Sequence, residues 1–258
     1  KKSHSQSTAP LSRENLDKLY KKILKPYQSR AIPFSTQENS TSESSRQEPS
    51  VQSLDTSLNL QTELKLVSEM LPLTLGTSIF VFPNELDSSM IKVFIAGASY
   101  TPYAHGLFEF DVTFQDCPSI PPKIKFCTTG NHNVSFSAHL PASGTVDMSD
   151  LQSVSFSSQG SSSGFNLSQL LISMQSLLRS SSILGLGGEH SLFSLETEEG
   201  MREYKAYCNT IKFATIKYAM LQYLDNPPAG LKDFIQTYFC LKKDLILQEC
   251  KKWLDEAQ

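Results

Sequence analysis

Four short segments of alternating apolar residues are the feature of this chain that most narrows its fold. Apolar side chains recur at every second position in residues 79–81, 91–95, 108–114 and 124–126. A period of two places alternate side chains on one face of a β-strand, so each segment predicts a half-buried strand. The connections are short and contain turn residues such as Pro83, which predicts an antiparallel meander with one face left for helices.

Helical periodicity is found on both sides of these strands. Apolar residues at helical spacing predict a helix that ends at Leu71, before Pro72. Residues 128–164 have no clean period and are rich in Ser, Gly and His, which is typical of a long irregular segment that carries function. Three further helices are predicted over residues 166–178, 203–224 and 231–257, and Asn166 is the predicted N-cap of the first. This order predicts an α+β fold, with a four-stranded antiparallel meander packed on helices.

The first 60 residues differ in composition from the rest. Residues 1–30 contain eight Lys or Arg and two acidic residues, so we interpret residues 1–34 as a basic lead-in segment with one short helix that ends at Pro26. Residues 35–60 are dominated by polar side chains, Ser above all, and contain too few apolar groups to offset the entropy of ordering. They are predicted to form a disordered linker that leads to one domain over residues 61–258.

Composition excludes several classes of function. The net charge of −3 argues against a globally basic nucleic-acid-binding protein. No apolar run reaches the roughly 18 residues of a membrane helix, and the polar amino terminus lacks the apolar core of a signal peptide. The five cysteines form no C-x-x-C pair, so neither a zinc site nor a disulfide framework is indicated, and no cofactor is predicted. We expect an intracellular protein, cytoplasmic or nuclear, with protein partners and no membrane association.

Several sequence segments resemble one known family. They are Thr101–Phe114 (TPYAHGLFEFDVTF), the proline loop Pro118–Pro122, the Thr128–Gly130 turn and Ala214–Pro227 (ATIKYAMLQYLDNP). Residues 61–258 are similar to the ubiquitin-conjugating (UBC) fold, and most of all to the carboxy-terminal UBC domain of giant inhibitor-of-apoptosis enzymes of the BRUCE/Apollon type. The resemblance implies a UBC-like fold in which the last helix is a carboxy-terminal extension.

The resemblance also implies a catalytic cysteine, which this chain lacks at the matching position. The family pattern reads approximately F-N-P-N-L, a short loop and then G-K-V-C-L-S-I-L, whereas residues 136–140 read F-S-A-H-L and residues 144–151 read G-T-V-D-M-S-D-L. Asp147 thus occupies the cysteine position and His139 the position of the second Asn. A carboxylate cannot form the thioester with ubiquitin and adds negative charge where an oxyanion would develop. The sequence therefore predicts a catalytically inactive domain that is not an enzyme.

Three hypotheses for function follow. The first is a protein–protein interaction or scaffold module that binds ubiquitin, a conjugating enzyme or a larger assembly, with Ser119 and Ile120 of the proline loop as candidate contact residues. The second is an active conjugating enzyme that uses a non-standard cysteine, although Cys117 and Cys127 are interpreted as packing positions. The third is a structural domain without contact to ubiquitin.

Overall fold

The computed structural model describes most of the predicted domain and part of the lead-in segment. The described residues are 13–34, 62–65, 67, 69–115, 120–151, 166–179 and 196–257. The predicted linker, residues 35–60, lies outside them, as do Cys117 and Ser119. The division of the chain at residues 34 and 60 stays a prediction.

The sheet is the predicted antiparallel meander. Its strands are β1 (Ile79–Pro83), β2 (Met90–Ala96), β3 (Leu107–Thr113) and β4 (Lys123–Phe126), in the order β1-β2-β3-β4. Val93 pairs with both Val81 and Phe110, and Phe110 pairs with Phe126. This register keeps the predicted apolar set on one face of the sheet, as the period of two requires.

The helices also follow the sequence pattern, with one longer than predicted. The helices with defined bounds are α1 (Arg13–Leu24), α2 (Leu167–Ser176), α3 (Glu198–Ile216), α4 (Gln222–Asp225) and α5 (Lys232–Ala257), with a π-helical turn Lys217–Leu221 between α3 and α4. Residues 62–65, 67 and 69–70 are also helical, where the sequence predicts a helix that ends at Leu71. Asn166 caps α2 through a bond from the Gln169 amide, as predicted. Helix α3, predicted to begin near residue 203, begins at Glu198, where the Thr197 side chain caps its first turn. Within the described ranges, none of the helices is long and apolar enough to cross a bilayer.

Both faces of the sheet are buried, whereas the sequence predicted half-buried strands. On one face the predicted apolar residues pack against α2 and α3. On the other face Phe80, Phe82 and Phe94 are fully buried against α5 and α1. The phenyl ring of Phe234 in α5 lies 4.7 Å from that of Phe80 and 5.1 Å from that of Phe82, measured between ring centroids. The carboxy-terminal helix is therefore part of the core, which makes this a three-layer α+β domain.

The described part of the lead-in segment packs on this second face. Tyr20 of α1 is fully buried, and its hydroxyl lies 2.9 Å from Ser78 Oγ. Asp17 accepts a hydrogen bond of 2.8 Å from the Leu75 amide. Further along, the Ile32 amide donates to Pro83 O at the end of β1. Residues 13–34 are thus fixed to the sheet and α5.

A buried lysine joins α5 to the loop before β1. Lys242 has no exposed surface, and its Nζ donates a hydrogen bond of 2.9 Å to Leu75 O. The ammonium lies 5.2 Å from the ring centroid of Tyr20 and 5.1 Å from that of Tyr238. Burial lowers the pKa of Lys242 to about 7, and the nearby Asp17 opposes this shift. The domain therefore contains a buried amine that titrates near neutral pH.

The stability of the domain should rise with pH because of Lys242. Its pKa is about 7 in the folded chain and 10.5 in its ordinary state, so above pH 7 the unfolded chain binds more protons than the folded one. We expect the free energy of unfolding, measured with urea, to increase by about 2 kcal/mol between pH 7 and pH 9.

The Lys242→Met variant is the control, since it keeps the apolar stem and removes the titrating amine. Its free energy of unfolding should change less over this range than that of the parent chain. Equal slopes in both proteins would show that Lys242 is not the titrating group.

Candidate functional site

The candidate site lies where residues 143–147 run along the outer edge of β4. The Phe126 amide donates a hydrogen bond of 2.7 Å to Gly144 O, and Thr145 forms an antiparallel bridge with Lys125. Gly144 has a φ of +79°, and a Cβ atom there would lie 2.6 Å from Phe126 O. Only glycine fits this close approach. The pairing therefore fixes the backbone that leads to Asp147.

Asp147 is exposed at the end of this segment and begins a short 3₁₀ helix, Met148–Asp150. Its Oδ1 accepts a hydrogen bond of 3.0 Å from the Ser149 amide. Hydrogen bonds from Ser149 lower the pKa of the Asp147 carboxyl. Position 147 thus presents an ionised carboxylate whose orientation is set by its role as a helix cap.

His139 lies close to Asp147, and the contact that holds it there is with Asp150, a residue that the sequence did not indicate. Its Nδ1 is 2.9 Å from Asp150 Oδ1, and both side chains are partly exposed. The Phe136 amide donates to Leu140 O at 2.9 Å, which closes the turn that contains His139. Asp150 follows Asp147 in the 3₁₀ helix, so the two predicted positions are linked by an imidazole–carboxylate pair. No sequence spacing identifies Asp150, because the pairing depends on how the turn folds back.

Aromatic packing holds this turn against the core. The Phe136 ring is fully buried, 5.2 Å from the ring of Phe108 and 5.8 Å from that of Phe126. The Tyr103 hydroxyl donates a hydrogen bond of 2.8 Å to Phe136 O. Tyr103 belongs to the TPYAHG segment, so this motif supports the candidate site rather than forming part of it.

A groove of about 470 Å³ opens beside β4, and we call it the β4 groove. Its lining combines apolar with charged side chains and includes Ile124, Val146, Lys123, Lys125 and Asp111. Pro121 and Pro122 of the proline loop close one side. Ile120, the predicted contact residue next to them, is 46% exposed. The lining therefore offers both apolar surface and charged groups.

Cys127, at the end of β4, belongs to a buried ionic cluster. The Lys92 Nζ donates hydrogen bonds to Glu109 and to Asp111, the latter at 2.5 Å. Burial works to lower the pKa of Lys92, but the two carboxylates outweigh it and raise this pKa. Burial and the same carboxylates raise the pKa of the Cys127 thiol. Cys127 is therefore held as a protonated thiol, a poor nucleophile.

The same cluster resembles a metal site in composition. Glu109, Asp111 and Cys127 place three potential ligand atoms within 4.8 Å of one another. The Lys92 ammonium already satisfies both carboxylates, and the Phe34 ring covers it at 5.0 Å. The Tyr223 hydroxyl also donates to Glu109 Oε2 at 3.0 Å. A metal ion would have to displace an internal cation, so the arrangement favours a structural role.

Comparisons with known proteins agree with this architecture. The profile of the family described as "Ubiquitin-conjugating enzyme" matches residues 59–209. The chain is 36% identical over 207 residues to the human "Dual E2 ubiquitin-conjugating enzyme/E3 ubiquitin-protein ligase BIRC6", which covers 77% of this chain and 4% of that protein. It is 33% identical over 207 residues to the Caenorhabditis elegans "Probable ubiquitin-conjugating enzyme protein 17", covering 79% of this chain and 28% of that protein.

One solved structure that aligns with this chain is also named as a ubiquitin conjugating enzyme. The E2 domain of a Toxoplasma gondii ubiquitin conjugating enzyme aligns with a TM-score of 0.45 and 22% identity, over 63% of this chain and 98% of that chain. The chain spans only a small part of the length of BIRC6 and of the worm protein.

The protonated state of Cys127 leads to a testable difference between cysteines. Alkylation requires the thiolate, so Cys127 should react with iodoacetamide at pH 8 at least about tenfold more slowly than a freely exposed thiol. Cys240, which is exposed in the same chain, serves as the internal control. Peptide mass spectrometry over a time course measures both rates, and equal rates would show that the Cys127 thiol is not held protonated.

The comparisons confirm the predicted resemblance to UBC domains of the BRUCE/Apollon type and correct one prediction drawn from it. The sequence predicted that the chain is not an enzyme, because Asp147 replaces the catalytic cysteine. That prediction is wrong, since the matching profile and the named relatives are those of ubiquitin-conjugating enzymes. The chain belongs to the ubiquitin-conjugating enzyme family.

Proposed function

We propose that this UBC domain acts in the ubiquitin pathway by binding a protein partner, and that the β4 groove is the contact surface. The observation that carries the proposal is the pairing of residues 143–147 with β4, which forms the groove and ends at Asp147. Membership of the ubiquitin-conjugating enzyme family supports ubiquitin as the partner. A conjugating enzyme and a larger assembly are the other partners to be tested.

The lining of the groove supports a polypeptide ligand. Ile124 is buried, whereas Lys123 and Lys125 on either side of it are exposed. The apolar side chain provides contact area, and the two lysines provide charge that selects and orients a partner. Thr145 is exposed between buried Gly144 and Val146, so its side chain can change without disturbing the core.

The names of the relatives favour a second candidate function, the transfer of ubiquitin as a thioester. Asp147 cannot itself form this bond, so the sulfur would come from one of the five cysteines of the chain. Incubation with activating enzyme, ATP and ubiquitin tests this directly. A thiol-sensitive ubiquitin adduct would identify the chain as a carrier, and mass spectrometry would locate the cysteine.

The predicted cytoplasmic or nuclear location belongs to the same proposal, since ubiquitin transfer takes place inside cells. Fluorescence microscopy of a tagged chain would test it.

Filling the groove should weaken binding of ubiquitin. Addition of the chain should shift a defined set of amide resonances of ¹⁵N-labelled ubiquitin, and Thr145→Trp should weaken this binding by about tenfold because the indole occupies the groove. Thr210→Trp places the same side chain at an exposed position of α3 and should leave binding unchanged.

The proposal that ubiquitin is the partner fails if the native chain shifts no ubiquitin resonance. If Thr145→Trp and Thr210→Trp bind equally well, ubiquitin does not contact the β4 groove.

A cysteine at position 147 should enable the chain to accept ubiquitin as a thioester. The Asp147→Cys variant puts sulfur at the exposed position that leads out of the β4 pairing, and we expect it to form a thiol-sensitive adduct with ubiquitin in the presence of activating enzyme and ATP. Loss of the Asp147 cap removes one solvent-exposed hydrogen bond and should leave the domain folded.

Ser149→Cys is the matched control, because residue 149 is exposed in the same 3₁₀ helix. An adduct of equal yield on both variants, or no adduct on a folded Asp147→Cys variant, would show that position 147 does not correspond to the acyl-carrying position of the family.

A further inference from the structure

Four lysines form a stripe on the outer surface of α1 and of the 3₁₀ turn Lys25–Tyr27 that continues it. Lys18, Lys21, Lys22 and Lys25 follow the spacing i, i+3, i+4 and i+7, which places them on one side of a helix. All four are exposed, and we call them the α1 lysine stripe. With the rise of a helix, the stripe is about 10 Å long. The proposed function does not use it.

The inner surface of α1 fixes the direction in which the stripe points. Tyr20 and Leu24 are fully buried, and the ring centroid of Tyr20 lies 6.4 Å from that of Tyr238 in α5. Asp17 also points inward, because its carboxylate accepts the hydrogen bond from the Leu75 amide. The lysines are therefore held on the outer surface by the packing of the opposite side of the helix.

The described part of the chain compensates the charge of the stripe only in part. Lys18 Nζ lies 2.7 Å from Glu14 Oε1, but both side chains are largely exposed, and an ion pair of this kind contributes little. Among the described residues, neither Lys21 nor Lys22 forms an ion pair. Like charges at these helical spacings repel one another. An anionic ligand that bound along the stripe would relieve this repulsion.

The distribution of charge favours a ligand no larger than the stripe. Residues 1–30 contain eight Lys or Arg and two acidic residues, a net charge of +6, so the rest of the chain carries −9 within the total of −3. A duplex nucleic acid or an anionic membrane extends far beyond 10 Å, and this negative charge would repel it. A short anionic segment contacts the lysines alone.

The packing of α1 also argues against a nucleic acid and a membrane. Tyr20, the aromatic residue of α1, is fully buried, so no base can stack on it. An amphipathic helix binds a membrane by inserting its apolar face, and the apolar face of α1 is already packed on the sheet and α5. The surface that remains offers positive charge alone.

We propose that the α1 lysine stripe binds a short acidic segment of a partner protein. In an extended segment, side chains on the same side are about 7 Å apart, so two or three Glu or Asp residues at alternate positions cover the length of the stripe. The flexible lysine stems let each ammonium reach a carboxylate. The lead-in segment contacts the sheet at the end of β1, whereas β4 forms the opposite edge, so the stripe and the β4 groove are separate surfaces.

A fluorescently labelled octaglutamate peptide is the probe. At low ionic strength its anisotropy should rise saturably on titration with the full chain, and about 0.5 M salt should abolish the rise because it screens exposed charges. An octaglutamine peptide should not bind. The double variant Lys21→Gln/Lys22→Gln should bind octaglutamate about fivefold more weakly than the native chain, the scale of two lost exposed ion pairs.

The matched control is Arg202→Gln/Lys205→Gln, which removes the same charge from exposed positions of α3, on the opposite face of the sheet. It should bind octaglutamate as the native chain does. Thermal unfolding of each variant checks that the fold is intact.

Equal affinities of the two double variants, or the absence of saturable binding to the native chain, would overturn the proposal. Tighter binding of duplex DNA, or of phosphatidylcholine vesicles with about 30% phosphatidylserine, than of octaglutamate would also overturn it, because the stripe would then serve another class of partner. Lys21→Gln/Lys22→Gln should still shift the ubiquitin resonances as the native chain does, so this experiment and that on the β4 groove can fail independently.

Discussion

The aromatic outer face of the sheet is the constraint on which the rest of the structure depends. Phe80, Phe82 and Phe94 point away from the face that packs on α2 and α3, and exposing three such rings to water would cost roughly 1.5–3 kcal/mol each. Phe234 of α5 meets all three, with ring centroids 4.7, 5.1 and 5.8 Å away. The extension is thus required by the sheet that it covers, and together they form the surface on which α1 packs.

The candidate site depends on a second and more local constraint, the pairing of residues 143–147 with the edge of β4. An edge strand exposes unpaired backbone groups, and here Gly144 O accepts from the Phe126 amide at 2.7 Å. Because Gly144 allows this approach, the chain delivers Asp147 to the surface in a defined orientation. The Asp150–His139 pair then fixes the neighbouring turn. The site is rigid at its backbone and charged at its tip, which suits recognition of a partner as well as chemistry by an added thiol.

Membership of an enzyme family and the aspartate at position 147 concern different properties of the chain. The first describes the packing of the whole domain, which the match over residues 59–209 reflects. The second describes one side chain, which is exposed and contributes no packing to the core. Replacing an exposed side chain leaves the fold intact, so the fold cannot report the chemistry of that position. Of the described thiols, Cys127 is held protonated within an ionic cluster, whereas Cys240 is exposed.

The sequence by itself determined the four strands, their antiparallel order and the main helices, because the periods of 2 and 3.6 residues are local properties of the chain. It also determined the residue at position 147 and the cap at Asn166, which depend on side-chain type alone. Tertiary structure decided that both faces of the sheet are covered, because alternation indicates one buried face and cannot reveal what packs on the other. It also decided that His139 pairs with Asp150 and that Tyr20 of α1 packs against Tyr238 of α5, since these contacts join segments whose distance only folding sets.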